Sequence, residues 1–424
     1  MELKSVRGMD DLFGEELLRW RRVEEIVRNV FSHFGFAEIR TPALEKIEVF
    51  SRTVGDATDI VEKQMYTLTD ISKEQLVLRP EGTASFMRAV IEHQLHQLAG
   101  PQRFFYYLPM FRHERPQKGR LRQFHQFGAE LIQDPSPEAD AEMISLVDTL
   151  FRKVGLREFR VRLNSVGCGT CRPAYRELLV KYLKGHIDQL CEQCKLRLER
   201  APLRVFDCKN ESCKNITAAA PLIADNLCAA CSGHHRRVQG SLHALRVPYE
   251  NDPTIVRGLD YYTRSAFEFT SSALGSQDAL GGGGRYDGLS AQFGKANFPG
   301  VGFAAGMERV MIALAAAGSS AMHESKPSAF LAPLGEKAFE LLYKMSFELK
   351  RAGVFADLSY DREKGLKNLL KAADKRGAAW AVVVGDDELA KGKALIKEMK
   401  TGTQEEIPIS EIPTYLQTRI NRAP

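Results

Sequence analysis

Phe104-Phe105-Tyr106-Tyr107-Leu108-Pro109-Met110-Phe111-Arg112 and Gln123-Phe124-His125-Gln126-Phe127-Gly128-Ala129-Glu130-Leu131-Ile132 are two strand-like runs separated by ten residues that include Pro116 and Gly119. Two antiparallel strands joined by a loop is the economical reading. On the second run a period of two puts Phe124, Gln126, Gly128 and Glu130 on one face and His125, Phe127, Ala129 and Leu131 on the other. The second face is apolar apart from His125. The first offers an aromatic ring, an amide, bare backbone and a carboxylate, which reads either as a solvated sheet face or as the wall of a pocket. Met110 and Arg112 align with it on the partner strand. The loop decides between these readings: Arg112, Arg115, Lys118, Arg120 and Arg122 face only one acid, Glu114, so the cluster needs an anion. With the turn Arg79-Pro80-Glu81-Gly82-Thr83 nearby, the pattern points to a pocket for a zwitterion beside a polyphosphate, carboxylates holding an ammonium and arginines holding phosphate oxygens.

Working outward, residues 11–34 carry apolar side chains at helical spacing and stop at Gly35, a strand follows through Glu38 and Ile39, and Gln75 to Leu78 reads as a buried strand before a helix from about Ala84 to Leu98. A second polar cluster is Arg257-Gly258-Leu259-Asp260-Tyr261-Tyr262-Thr263-Arg264. A third is the run Gly281 to Gly284 with Arg285 and Asp287. Glycine runs mostly mark turns, although they also permit backbone to approach a ligand. An apolar helix is expected after Pro299; Glu308 and Arg309 within it must be paired or functional. Residues 318–328 read as a linker, and the remainder alternates strand and helix as a compact α/β domain.

The chain has 424 residues, 44% apolar and 27% charged, with a net charge of +5, which excludes disorder as the main state and allows two to four domains. No apolar stretch approaches the roughly 20 residues of a membrane span. Asp10, Asp11, Glu15 and Glu16 stand where a signal peptide would be apolar. A cytoplasmic protein with no membrane contact is expected. All eight cysteines fall within residues 168–231, as Cys168/Cys171, Cys191/Cys194, Cys208/Cys213 and Cys228/Cys231. Close pairs in a cytosolic chain argue for thiolate ligation of structural Zn2+ in one or two four-cysteine sites, with reduced thiols as the alternative. Spacing leaves open which pairs combine.

These segments closely resemble the class II aminoacyl-tRNA synthetases. Residues 35–45 with Pro42 look like their motif 1, 111–130 like motif 2 and 302–309 like motif 3. Arg257 to Tyr262 is similar to the signature of the histidyl-tRNA synthetase family. The resemblance implies an α+β chain: an antiparallel-sheet catalytic core (residues 1–167 and 251–322), interrupted by a helical Cys-rich insertion (168–250) and followed by an α/β anticodon-binding domain (329–424). It implies ATP-dependent activation of L-histidine and transfer to tRNA-His by a cytoplasmic homodimer, with Mg2+ accompanying ATP. Glu81, Thr83, Gln126 and Arg257 would hold the ends of histidine, and Glu130, Tyr261 and Tyr262 its imidazole. Arg112 would meet the α-phosphate beside the bound histidine, Glu114 and Arg120 would lie near the base and tail of ATP, Phe124 on adenine, and Arg309 at the γ-phosphate side. Arg112, Arg257 and Arg309 are the expected catalytic cations. The rival is a non-catalytic synthetase paralogue that regulates ATP phosphoribosyltransferase, which would be expected to lack the C-terminal domain and parts of these motifs.

Overall fold

The structure, a computed structural model, describes residues 3–53, 58, 60–256, 259, 261–275, 278–294, 296–318, 329–351, 354–361 and 363–420. Arg257, Gly258, Asp260 and most of the linker expected at 318–328 lie outside the described residues. The chain divides into two compact units, Met1–Met322 and His323–Pro424. Among the described residues no single helix is long and apolar enough to cross a membrane.

In the first unit the strands are β1 (Ala37–Glu38), β2 (Leu44–Lys46), β3 (Tyr66–Thr69), β4 (Gln75–Leu78), β5 (Gln102–Phe111), β6 (Gln123–Ile132), β7 (Arg160–Ser165), β8 (Glu250–Asn251), β9 (Thr263–Thr270), β10 (Ala279–Arg285) and β11 (Gly300–Gly306). Eight of them make one sheet in the order β1-β5-β6-β11-β10-β9-β7-β8, antiparallel except at its two edge pairs. The hairpin of β5 and β6 is in register from Gln102↔Ile132 to Phe111↔Gln123, so the alternation read from the sequence is realised. Phe127, Ala129 and Leu131 enter the main core, where they meet Val27 and Phe31 of helix Gly14–His33 and Ile144, Val147 and Phe151 of helix Pro137–Val154. Helix Pro137–Val154 is well specified locally. Ser136 caps it by accepting the Ala139 N–H, Pro137 opens it, and Gly155 closes it at φ 103°.

Three expectations need correction. The glycine run is not a turn: Gly281 to Gly284 lie inside β10, between β9 and β11. Glycine is required there by crowding, since a Cβ on Gly283 would overlap the Gly302 carbonyl and one on Gly281 would come within 2.7 Å of the Ala304 carbonyl. The stretch after Pro299 first forms β11, and the helix starts only at Met307 and runs to Ala316. Finally, β4 is not a wholly buried strand. It lies in a separate sheet of order β2-β4-β3 and fully buries only Val77.

Between β7 and β8 the chain forms helices Arg172–Lys184, Glu192–Arg200, Glu211–Ala218 and Ala229–Ala244. The first three surround a small core of their own, with Tyr175, Leu179, Leu198 and Ile216. The fourth helix instead sends Val238 and Leu242 into the main core.

The second unit has strands β12 (Ala329–Pro333), β13 (Ala356–Leu358), β14 (Trp380–Val384), β15 (Lys393–Glu398) and β16 (Gln404–Pro408) in the order β13-β12-β14-β15-β16. The first three are parallel and the last two antiparallel. Leu369 and Ala373 of helix Leu366–Lys375 are buried against this sheet.

Candidate active site

The polar face of β6 opens on a cavity of about 310 Å³. Its lining brings together Glu81 and Thr83 from the turn before helix Thr83–Glu92, Arg112, Glu114 and Arg120 from the loop, Phe124 and Gln126 from β6, Tyr261 and Tyr262 before β9, and Arg309 from the helix after β11. The backbone of Gly281 and Gly282 forms its floor.

The cations are held in place before any ligand arrives. Arg112 donates through Nε to the Pro80 carbonyl at 2.8 Å and lies over the Phe124 ring at 5.1 Å. Arg309 donates to the carbonyls of Gly119 at 3.0 Å and Ala279 at 2.6 Å, tying the loop to β10. Arg120 pairs with Glu114 at 2.7 Å. Burial lowers the affinity of both Arg112 and Arg309 for their protons. Arg120 adds repulsion to each, against the attraction of Glu114. Cations kept close against mutual repulsion are stabilised by a polyanion placed between them.

The rest of the lining suits a zwitterion. Glu81 accepts the N–H groups of Thr83 and Ala84, each at 2.8 Å, and burial raises its pKa despite these bonds and the nearby Arg112. The Gln126 Oε1 is buried and has no hydrogen-bond partner among the described residues. Such an acceptor awaits a donor from a ligand.

Glu130 is placed differently from the other expected residues. It is fully buried beneath the cavity wall rather than lining it, accepting Thr83 Oγ1 at 2.7 Å and Tyr286 Oη at 2.5 Å. The backbone closes over it, since a Cβ at Gly302 would overlap its carboxylate. Burial raises its pKa from 4.5 to about 8, against the hydrogen bonds from Tyr286 and Thr83. The folded protein thus binds an extra proton between those values, and the stability this supplies is complete below about 4.5 and lost as pH rises through about 8. A tenfold change in a group's proton affinity between the unfolded and folded chain is worth about 1.4 kcal/mol. Glu130→Gln should therefore remove a decline of a few kcal/mol between acid and mildly alkaline pH, read from urea unfolding midpoints across that range; an unchanged slope would assign the decline to other groups.

Sequence reasoning missed Glu268, which lines the cavity, and Tyr286, which holds Glu130. A lone acid between Phe267 and Phe269 in an apolar strand was the available signal for Glu268. His125, by contrast, is packed against Trp20 and Tyr107, and its backbone N–H donates to Glu308 at 2.8 Å. Arg285 is also structural, fully buried and bonded to Asp140 and Asp287.

An antiparallel sheet carrying an arginine-lined cavity between the basic loop that joins β5 to β6 and the helix that follows β11 is the catalytic architecture of a class II aminoacyl-tRNA synthetase. Residues 8–310 match the histidyl-tRNA synthetase family model, and residues 328–419 match the model of the anticodon binding domain. The histidine–tRNA ligase of Halothermothrix orenii is 43% identical over 98% of this chain and 99% of its own length. That of Thermotoga maritima is 43% identical over the whole of both. The solved apo histidyl-tRNA synthetase of S. aureus is 33% identical, with a TM-score of 0.83 over 98% of this chain and all of that one. The chain belongs to the histidyl-tRNA synthetase family. It activates histidine and charges tRNA; the regulatory-paralogue reading is not favoured.

Proposed function

We propose that the cavity divides the reaction as follows. Glu81, Thr83 and Gln126 hold the histidine ammonium, Arg257 and Arg112 its carboxylate, and Tyr261 and Tyr262 flank the imidazole, with Glu130 acting from beneath through Thr83. Phe124 carries adenine, Glu114 and Arg120 the base and tail of ATP, Arg112 the α-phosphate and Arg309 the γ-phosphate side. A histidine carboxylate oxygen attacks the α-phosphorus, the bond to the β-phosphate oxygen breaks, and pyrophosphate leaves. A terminal ribose hydroxyl of tRNA-His then attacks the mixed anhydride, releasing AMP. Fixed guanidinium groups need no reorganisation as charge spreads over the phosphoryl oxygens, which is why they lower the barrier.

The observation that carries this reading is the cavity whose lining brings Arg112, Arg120 and Arg309 together with Glu81, Gln126 and the tyrosine pair. Oxygen donors of Glu114 and Glu268 in the lining fit Mg2+, which would neutralise charge on the β- and γ-phosphates. The four-cysteine clusters fit structural Zn2+. The domain limits 1–167, 168–250, 251–322 and 329–424, a homodimer and a cytoplasmic location complete the proposal.

ATP–pyrophosphate exchange with each of the twenty amino acids tests it. Histidine alone should support exchange, because a buried polar pocket rejects side chains that leave its hydrogen bonds incomplete. Equal exchange with another amino acid would overturn the pocket assignment.

A further inference from the structure

The eight cysteines form two clusters, Cys168/Cys171/Cys228/Cys231 and Cys191/Cys194/Cys208/Cys213, within each of which the sulfurs all lie within 4.8 Å of one another. In the first, Cys168 and Cys171 are 3.8 Å apart, Cys168 and Cys228 3.9 Å, and Cys171 and Cys231 3.8 Å. In the second, Cys191 and Cys208 are 3.8 Å apart. A disulfide requires about 2.05 Å. Four thiolates each about 2.3 Å from one zinc ion stand at the corners of a tetrahedron with edges of about 3.8 Å. The observed spacing is that of ligands around a shared cation.

Backbone groups support the same reading. Cys168 N–H donates to Cys171 Sγ at 3.1 Å, Thr170 N–H to Cys168 Sγ at 3.4 Å and Cys191 N–H to Cys213 Sγ at 3.3 Å. Such donors orient thiolate ligands and ease their charge. Cys171, Cys191 and Cys228 each stand at the N-terminal cap of a helix.

The two clusters differ in what they join. Cys194 and Cys213 are part of the insertion's own small core. The first cluster lies where the insertion meets the sheet. Its first pair follows β7, on a segment that exchanges hydrogen bonds with β9: Val166 N–H donates to the Arg264 carbonyl at 2.7 Å and Arg264 N–H to the Gly167 carbonyl at 2.8 Å. Gly167 has φ +69°, and a Cβ there would come within 2.8 Å of Cys171 Sγ. The second pair opens helix Ala229–Ala244, which is fixed to the main core by Val238, Leu242 and the 2.7 Å bond from His234 to Asp140. Between them, Arg172 directly follows Cys171 and donates to the carbonyls of Val166, at 2.9 Å, and of Tyr262. Tyr262 lines the cavity.

We infer that the first cluster holds a structural metal ion that clamps the neck of the insertion and, through the positioning residue Arg172, fixes the Tyr262 wall of the histidine pocket, while the second metal serves only the insertion; the pocket half of this inference rests on the synthetase reading above. Both ions are closed to substrate, because four thiolates complete the tetrahedron. Loss of the first releases the segment that carries Arg172, and the tyrosine wall shifts. A displacement of about 1 Å in a binding wall costs up to about 10²-fold.

Elemental analysis of the full chain, purified without chelator and without a metal-affinity column, should give two Zn2+ per chain. Refolding with Co2+ should give the visible bands of tetrahedral cobalt thiolate. The Cys168→Ser/Cys228→Ser double variant should retain one ion and show a histidine KM raised about tenfold, with the KM for ATP unchanged. The Cys191→Ser/Cys208→Ser variant should also retain one ion but keep the parent histidine KM. Arg172→Lys guards against misfolding of the cysteine variants: it should keep both ions and still raise the histidine KM more than it lowers kcat. Absence of metal, with eight titratable thiols in the native protein, would overturn the clamp. So would equal histidine KM values in the two cysteine variants, or an unchanged KM in Arg172→Lys. Failure of the parent protein to activate histidine would fall on the synthetase reading instead, and the metal count would still decide whether the clusters bind ions.

Discussion

Arg112→Ala is expected to slow single-turnover formation of histidyl-adenylate by about 10²–10³-fold, the usual cost of removing one preorganised donor from a developing oxyanion. The size of the effect follows from how the side chain is held. The Pro80 carbonyl takes Nε at 2.8 Å and the Phe124 ring braces the guanidinium plane, so the terminal nitrogens have one orientation. Binding of ATP should weaken far less, because Arg120 and Arg309 face the same cavity. Arg112→Lys should not restore the rate, since an ammonium cannot keep the bond to Pro80 and also reach the phosphate as a planar fork. Rapid-quench measurement with labelled ATP reads both quantities. An unchanged chemical rate in a folded variant would remove Arg112 from the catalytic set.

The second large effect concerns stability. Asp140 and Arg285 are both fully buried, and one carboxylate serves three donors: Arg285 Nε at 2.9 Å, His234 Nε2 at 2.7 Å and Ser265 Oγ at 2.5 Å. This joins helix Pro137–Val154, β10, β9 and the last helix of the insertion at one point. Asp140→Asn leaves the Arg285 charge buried with Asp287 as its remaining acid, and breaking such a pair from one side costs about 3–5 kcal/mol. The chain has two tryptophans, Trp20 in the first unit and Trp380 in the second. Trp380→Phe therefore leaves fluorescence that reports on the first unit alone during urea unfolding. Adding Arg285→Met to Asp140→Asn should cost less than the sum of the single changes, because the double variant no longer buries the Arg285 guanidinium beside a neutralised Asp140, although Asp287 loses its arginine. Strict additivity would show that the two residues do not act as a pair.

The hairpin at the centre of the site was legible because nothing competes with its pattern. From Phe127 onward each second residue of β6 is apolar and core-facing, and the loop is marked by Pro116 and Gly119. The polar face then specified Phe124 and Gln126 as lining residues without any tertiary information. Glu130 lies on that same face but leaves the cavity because Thr83, from an element far away in sequence, crosses above it. Periodicity reports the face a side chain takes, not what later covers it. β10 was illegible for a related reason: four glycines carry no alternation, and their requirement arises from the neighbouring strands β9 and β11. The cysteine pairing depended on two helices distant in sequence meeting at a neck, which local spacing does not encode.

Because Gly281 and Gly282 present only main-chain atoms to the cavity, this stretch of β10 has no side chain to exchange. At Gly281 the overlap with Ala304 and Ala305 bars even alanine. Under the assignment proposed above, attempts to redirect the pocket toward a non-natural histidine analogue fall on side chains such as Glu81, Thr83, Gln126, Tyr261 and Tyr262. On that assignment an enlarged substrate would be accommodated by trimming a tyrosine, since β10 is already bare backbone at Gly281 and Gly282.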